Sequence, residues 1–178
     1  MKKLRFFSMM CVLALAIGSI TGCHKDENGN NNNGNGGSGG GGGTAVGYVD
    51  LGLPSGTKWK AANEGGYYDY DSAMETFGGR LPTKGQFEEL MSLCTFTWDS
   101  ERKGTNFVST VNGESIFLSA AGYRSCDGGV IGVGSGGVYW SSTPGGSERA
   151  WSLGFDSSEM GMDSLSRCRA HSVCLVQD

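Results

Sequence analysis

The stretch Gly137-Val138-Tyr139-Trp140-Ser141-Ser142-Thr143 decides the fold, together with two apolar runs that follow it. A Pro-Gly-Gly turn separates it from Ala150-Trp151-Ser152-Leu153-Gly154-Phe155, and a third run spans 171–176. Short apolar runs separated by turn-forming residues are typical of antiparallel sheets. We therefore predict that these three runs form an antiparallel sheet.

The segment between the last two runs, 156–170, has the polar composition of an exposed ribbon, yet it also carries methionine, leucine and arginine side chains. A solvated loop does not need that mixture, whereas a contact surface combines apolar area with orienting charges. We therefore predict that the ribbon 147–170 binds a ligand. The candidate residues are Arg149, Trp151, Asp156, Glu159, Met160, Met162, Asp163, Leu165 and Arg169.

The first residues have the pattern of an export signal. Lys2, Lys3 and Arg5 precede an apolar run, 6–20, that is too short to span a membrane comfortably. The run ends Ile20-Thr21-Gly22-Cys23, which resembles a bacterial lipobox. This resemblance implies that 1–22 is a signal peptide and that Cys23 is acylated, so that acyl chains hold the protein at a membrane. An ordinary secretory signal and an uncleaved anchor are the alternatives.

The residues after Cys23 separate this anchor from a domain. Segment 23–43 is charged at first and then consists almost entirely of Asn and Gly, a composition that predicts a flexible tether. The acidic pair Asp26-Glu27 resembles the signal that exports lipoproteins to the cell surface in Bacteroidetes-type bacteria. We expect a lipid-anchored protein of the outer membrane or cell surface, with one domain in 44–178.

The charge of the mature chain restricts its partners. Removal of 1–22 leaves 11 Lys and Arg residues against 18 Asp and Glu residues, a formal charge of −7. Such a chain has little attraction for polyanions, and its cations are scattered rather than massed. We therefore expect no nucleic-acid partner. The expected partner is a glycan or a protein, and the sequence does not distinguish the two.

The domain combines helical and strand patterns. Thr83 and Gln86 have the spacing of a capping box, and the apolar residues after them follow one helix face (Phe87, Leu90, Met91 and Cys94). A second short helix is predicted over 71–77, closed by Gly78-Gly79. Asn112-Gly113 between two apolar runs indicates a β-hairpin. The predicted fold class is therefore α+β, with Trp59 and Trp140 in the core.

The domain has four cysteines, Cys94, Cys126, Cys168 and Cys174. If Cys168 and Cys174 share one strand, they lie about 20 Å apart and cannot bridge each other. A disulfide would then join one of them to Cys94 or Cys126, or join Cys94 to Cys126, or be absent. On such a strand His171 faces away from both cysteines, so we expect a surface histidine and no metal site.

The sequence has neither a nucleotide-binding loop in its required context nor a nucleophile-elbow motif. Gly132-Val133-Gly134-Ser135-Gly136-Gly137 matches the glycine pattern of nucleotide-binding loops, but a strand rather than a helix is predicted after it. No nucleophile-elbow pattern occurs, and His171 is the only histidine outside the tether. We therefore expect a binding protein without a cofactor rather than an enzyme.

Five motifs occur in the order found in one known family. They are Val49-Asp50-Leu51-Gly52-Leu53 with Lys58-Trp59, Arg80-Leu81-Pro82-Thr83, Ala121-Gly122-Tyr123-Arg124, Tyr139-Trp140-Ser141-Ser142-Thr143, and Ser172-Val173 with Val176. Over residues 46–178 the chain resembles the Fibrobacter succinogenes major paralogous domain, which is common in Bacteroidales lipoproteins. The resemblance implies a C-type-lectin-like fold of the formylglycine-generating-enzyme branch, with two short helices packed on small twisted antiparallel sheets and long loops.

The resemblance also leaves several functions open. The calcium-binding sugar motifs of true C-type lectins are absent, so we expect no lectin-type calcium site. The framework around 151–170 also resembles retroelement-diversified variable proteins, which display substituted side chains on this fold. A fimbrial or envelope assembly component is a third possibility. A copper-dependent oxidase like the formylglycine-generating enzymes is the most remote, and it would need Cys168 and Cys174 as a pair.

Overall fold

A computed structural model describes residues 47–178. The predicted signal peptide (1–22), the acylated Cys23 and the tether (23–43) lie outside the described residues, as does the beginning of the predicted domain at Thr44. Within 47–178 no helix is long and apolar enough to cross a membrane.

The described chain is mixed α+β, as predicted. It has two short helices, α1 (Tyr70–Phe77) and α2 (Lys84–Leu93), with a 3₁₀ turn, Gly78–Arg80, between them. The strands in chain order are β1 (Tyr48–Asp50), β2 (Lys58–Lys60), β3 (Tyr68–Asp69), β4 (Cys94–Asp99), β5 (Gly104–Ser109), β6 (Ser115–Ser119), β7 (Tyr123–Arg124), β8 (Val130–Ile131), β9 (Gly136–Pro144), β10 (Arg149–Asp156), β11 (Met160–Ser166), β12 (Ala170–His171) and β13 (Val176–Gln177).

Local signals in the sequence account for both ends of α1 and for the start of α2. Asp69 caps α1 by accepting a hydrogen bond from the Ser72 amide, and Gly78 ends it with a positive φ of 50°. The capping box predicted for α2 is confirmed, because Thr83 and Gln86 bond each other's backbone amides. The predicted apolar face of α2 is turned toward the core, with Phe87 and Leu90 fully buried.

The strands form four small sheets within the described residues. Their orders are β1-β2-β13, β11-β10-β9, β3-β12-β7-β8 and β4-β5-β6. Adjacent strands in every sheet are antiparallel. The hairpin predicted around Asn112-Gly113 is formed by β5 and β6.

The predicted C-terminal sheet is correct for two of its three runs and wrong for the third. The run 171–176 does not lie beside β10. It divides between β12, which pairs with β3 and β7, and β13, which pairs with β2. The third place in the sheet is taken by β11, from the segment predicted as a ribbon. The physical reason is proximity, since a three-residue turn brings β11 directly back onto β10.

The core consists of two adjacent clusters of buried side chains. The larger one contains Trp59 together with Phe87 and Leu90 of α2, and the smaller one contains Trp140 together with Tyr70 of α1. Both tryptophans are completely buried, which confirms their predicted core positions. The two helices therefore pack on the sheets through different clusters.

The prediction of a surface position for His171 is wrong. The imidazole is completely buried, stacks on the Trp140 ring at 3.8 Å between centroids, and contacts the Tyr123 ring edge-on at 6.1 Å. The prediction failed because it assumed one strand from 168 to 174, whereas β12 contains only Ala170 and His171 and packs against β9. His171 therefore lies in the core.

One disulfide joins Cys126 to Cys168, with the Cα atoms 5.1 Å apart. This pairing is among those that the sequence left open. It ties the glycine-rich loop before β9 to the turn between β11 and β12. The other two cysteines of the described residues, Cys94 and Cys174, are free and buried, and burial raises their thiol pKa values to about 11 and about 12.

Candidate functional site

The predicted ribbon is a regular hairpin of β10 and β11. Its seven residue pairs run from Arg149 opposite Ser166 to Phe155 opposite Met160. At the turn, Asp156 Oδ1 accepts hydrogen bonds from the Ser158 amide at 2.7 Å and the Glu159 amide at 2.9 Å. Burial raises the pKa of Asp156, but these hydrogen bonds outweigh it and hold the pKa below its usual value. The turn therefore keeps an ionised carboxylate.

The inner face of the hairpin packs on the core. Because side chains alternate along a strand, Leu153 and Phe155 share one face with Met160 and Met162, their cross-strand partners. Leu153 and Phe155 are buried in the larger cluster, and the two methionines are half-buried against it. The predicted contact residues Met160 and Met162 thus supply packing area to the core, and little of either is turned outward.

The opposite face of the hairpin is buried at one end and accessible at the other. At one end, Ala150 is buried in the smaller cluster and Leu165, its partner on β11, packs against it. Farther along, Val138, Gly154 and Gly161 lie side by side across β9, β10 and β11. We call this row of three residues the shelf. At its two glycines the outer face of the hairpin carries no side chain of its own.

Nothing within the described chain explains why the shelf has two glycines. Neither Gly154 nor Gly161 has a positive φ, so their backbones suit any residue. A Cβ atom at Gly161 would meet no heavy atom within 4 Å, and one at Gly154 would only touch the Gly161 carbonyl oxygen at 4.0 Å. Glycine in a strand interior weakens the strand and often marks a place where another molecule's atoms approach the backbone.

Charged side chains lie on both sides of the shelf. Asp156 and Asp163 flank it on the same face of the hairpin, because each is two positions from a shelf glycine. Arg169 stands over the Tyr123 ring at 5.2 Å, and Tyr123 contacts His171, which bonds Ser152 on this face. This chain of contacts links Arg169 to Ser152, the β10 residue two positions before Gly154. Neither Asp163 nor Arg169 forms an ion pair with another described residue.

Two predicted residues lie away from the shelf. The Trp151 ring is half-buried beneath the Lys84 ammonium group, 4.6 Å from its centroid, and Lys84 is paired with Glu88. The Arg149 guanidinium donates to the Ser164 carbonyl. A shallow cavity of about 290 Å³ lies at this end of the hairpin, lined by Gly145, Gly146, Ser147, Glu148, Arg149 and Ser166. Arg149 and Trp151 therefore do not belong to one surface with the shelf.

The nine candidate residues are thus divided among several environments. Met160, Met162 and Leu165 pack on the two core clusters. Asp156, Glu159 and Asp163 lie beside the shelf or at the turn next to it, Arg169 lies over the Tyr123 ring, and Arg149 and Trp151 lie at the other end of the hairpin. The shelf itself was not predicted from the sequence. Isolated glycines inside an apolar strand pattern were the available signal.

The residues considered for metal binding and for the oxidase alternative lie in separate places in the described part of the chain. Within 47–178 no three His, Cys, Asp or Glu side chains are placed to hold a metal ion. Cys168 is bonded to Cys126, so the Cys168–Cys174 pair of the oxidase alternative is not formed. His171 Nδ1 lies 3.2 Å from Ser152 Oγ, but both residues are closed to solvent. Burial, aided by the Arg169 charge, lowers the His171 pKa to about 3.

Comparison with protein-family models finds no match to this chain. Comparisons with curated proteins and with solved structures likewise find no significant match.

Proposed function

We propose that the protein is a lipid-anchored binding module, displayed on the outer membrane or cell surface, that holds a glycan or protein ligand on the shelf. Its fold would be C-type-lectin-like and of the Fibrobacter succinogenes major paralogous type. The resemblance of the five sequence motifs supports the fold assignment, and the mixed α+β architecture with two short helices and small antiparallel sheets is compatible with it.

The observation that carries the binding proposal is the outer face of the hairpin. Two strand glycines with open space above them lie between the carboxylates Asp156 and Asp163. The glycine backbone forms a flat surface that a ligand can approach closely. The charged side chains beside it can orient hydroxyl, amide or ionic groups of the ligand. The hairpin's large apolar side chains pack on the core instead, so the shelf offers shape and polar groups to a ligand and little apolar surface.

The disulfide supports the proposed location. A bond between exposed cysteines, such as Cys126–Cys168, forms and persists in oxidising compartments outside the cytosol. It also fixes the turn that carries Arg169, because Cys168 immediately precedes that residue. The same bond would therefore hold this turn in place after export.

The test is a binding array of glycans and bacterial surface proteins, probed with the detergent-solubilised full-length lipoprotein in calcium and in chelator. Gly154→Leu and Gly161→Leu, made together, fill the shelf without straining the backbone. Gly65→Leu is the control, because Gly65 is exposed and, like Gly161, has an ordinary φ and open space around its Cβ position.

We expect binding that survives chelation, persists in the control and is lost in the filled variant. Binding that is equally strong in the filled variant would overturn the shelf as the site. A folded protein that binds nothing on the array, or a ligand held only in calcium, would count against the proposal as stated.

A further inference from the structure

Strand β11 is an edge strand, and its outward backbone groups can be identified from their partners. The Asp156 amide donates to the Glu159 carbonyl at 3.0 Å, and the Arg167 amide donates to the Glu148 carbonyl at 2.9 Å, so odd-numbered residues face β10. In an antiparallel strand the amide and carbonyl of one residue point the same way, and alternate residues point oppositely. Even-numbered residues therefore point away from the sheet. The Ser164 amide agrees, since it donates to the Asp163 side chain instead of β10.

In one half of this edge the outward backbone groups have hydrogen-bond partners, and in the other, open half they do not. The outward groups of Ser164 are bonded by the side chains of Asp163 and Arg149, and the Ser166 carbonyl accepts from the Arg169 amide at 3.2 Å. The outward amides and carbonyls of Met160 and Met162 have no hydrogen-bond partner among the described residues. Unpaired edge groups of this kind are a template for another strand, and proteins usually block them.

The side chains beside the open half set a charge pattern. Glu159, Gly161 and Asp163 project to the same outer face, so a bare glycine lies between two exposed carboxylates along the strand. No described cation is ion-paired with either carboxylate. A strand laid against this edge would meet negative charge at two positions four residues apart, with free space between them.

We propose that the open half of β11 accepts an extended peptide segment of a partner protein as a fourth strand of the sheet. The partner carries Lys or Arg at two positions four apart, opposite Glu159 and Asp163. It carries an aromatic residue midway between them, packed over Gly161. This inference rests on the proposed function and names one partner class for the same hairpin.

A second copy of this chain is a poorer occupant of the edge. Antiparallel pairing of two β11 strands about Gly161 would place Glu159 of each copy opposite Asp163 of the other. Like charges directly opposite each other destabilise a strand pair, and here the repulsion would occur twice. Charge complementarity therefore favours a basic segment over self-association.

The probe is the acetylated peptide Thr-Lys-Thr-Tyr-Thr-Lys-Thr with a fluorescent label, titrated into the full-length lipoprotein and followed by anisotropy. In the proposed register the amides of the two central threonines bond Met160 and Met162, while the Lys and Tyr amides point away. We expect N-methylation of the central threonine amides to abolish binding. We expect N-methylation of the Tyr and second Lys amides to leave it within about twofold.

The charge pattern is tested in the protein. Glu159→Gln with Asp163→Asn should weaken peptide binding about fivefold or more, since each removes one exposed charge pair. Glu75→Gln with Glu114→Gln is the matched control, because both residues are exposed acids elsewhere on the surface, and it should bind as the unaltered protein does. A peptide with Glu in place of both Lys residues should not bind.

Three results would overturn the inference. These are equal effects of the two N-methylation patterns, equal binding of the glutamate peptide, and no peptide binding by a folded protein. If the array ligand is still bound and still depends on the shelf glycines, only the strand addition is refuted. If neither the array nor the peptide gives binding, the proposed function is refuted together with it.

Discussion

Acidification should destabilise the fold through one buried residue, His171. Its pKa is lowered from 6.5 to about 3, by burial first and by the charge of Arg169 second. Between these values the unfolded chain binds a proton that the folded chain excludes. The stability that the fold gains from a neutral His171 is therefore fully present above about pH 6.5 and is lost as the pH falls toward 3. Each pH unit in this window removes about 1.4 kcal/mol, so about 3 kcal/mol is lost between pH 7 and pH 4.5.

The surroundings of His171 explain why it does not take up the proton. Its ring lies between Trp140 and Tyr123, Ser152 Oγ is 3.2 Å from Nδ1, and the buried Nε2 has no partner among the described residues. No carboxylate is among these neighbours, and the charged group that affects it is the cation of Arg169. An imidazolium here would be desolvated and unpaired.

The assay is urea unfolding at pH 7.5, 6, 5 and 4.5, followed by tryptophan fluorescence, with His171→Phe as the comparison. Phenylalanine keeps a ring against Trp140 but cannot titrate. Carboxylates with lowered pKa values, Asp69, Asp127 and Asp156, also lose stabilisation in acid, but they do so mainly below pH 4.5 and in both proteins. The difference between the two proteins isolates the histidine.

We expect the unaltered protein to lose about 3 kcal/mol more than the variant across this range. If His171→Phe fails to fold, His171→Gln serves the same comparison, since it also carries no titrating group. Equal pH dependence in the two proteins would refute the reasoning, because it would mean that His171 is protonated in the folded state or that the unfolded chain is not.

Three further predictions concern stability and thiol chemistry. Replacing Cys126 and Cys168 by serine should lower the free energy of unfolding by about 4 kcal/mol, as expected for the loss of a cross-link between residues 42 apart; unchanged urea midpoints would contradict it. Gly122→Ala should lower the free energy of unfolding by more than about 2 kcal/mol, because φ at Gly122 is +67° and the added Cβ would overlap the Ile131 carbonyl. Gly161→Ala should leave that free energy unchanged or raise it by about 0.5 kcal/mol. Similar shifts in melting temperature for the two variants would be evidence against this prediction. The two free buried thiols should resist iodoacetamide at pH 8 until the chain is unfolded, as read by peptide mass spectrometry, and rapid labelling of Cys94 in the native protein would exclude its described burial.

The parts of the fold that the sequence predicts are those governed by neighbouring residues. The capping box of Thr83 and Gln86, the apolar face of α2 and the turn at Asn112-Gly113 all depend on residues a few positions apart. Each signal has a local physical cause, namely orphan amides, helical periodicity or a backbone conformation that glycine adopts. These elements form where the sequence analysis placed them.

The parts that could not be predicted depend on distant partners. Strand β11 has a polar composition, and it is a strand because β10 supplies a hydrogen-bonding partner and the core takes up Met160 and Met162. His171 is buried because Trp140 and Tyr123, each far from it in sequence, enclose it. A composition-based prediction of exposure fails at such positions. The same holds for the shelf, whose row of residues comes from three separate strands.

The short sheet β1-β2-β13 has a consequence for the order in which the chain folds. Trp59 on β2 pairs with Val49 on one side and with Val176 on the other, so its surroundings are complete only when the last strand arrives. The second pairing spans more than one hundred residues, and the entropy of closing so long a loop delays it relative to hairpins such as β5–β6. Burial of Trp59 is therefore a late event, and a chain whose last strand has not yet emerged during synthesis or export keeps this indole accessible to chaperones and proteases.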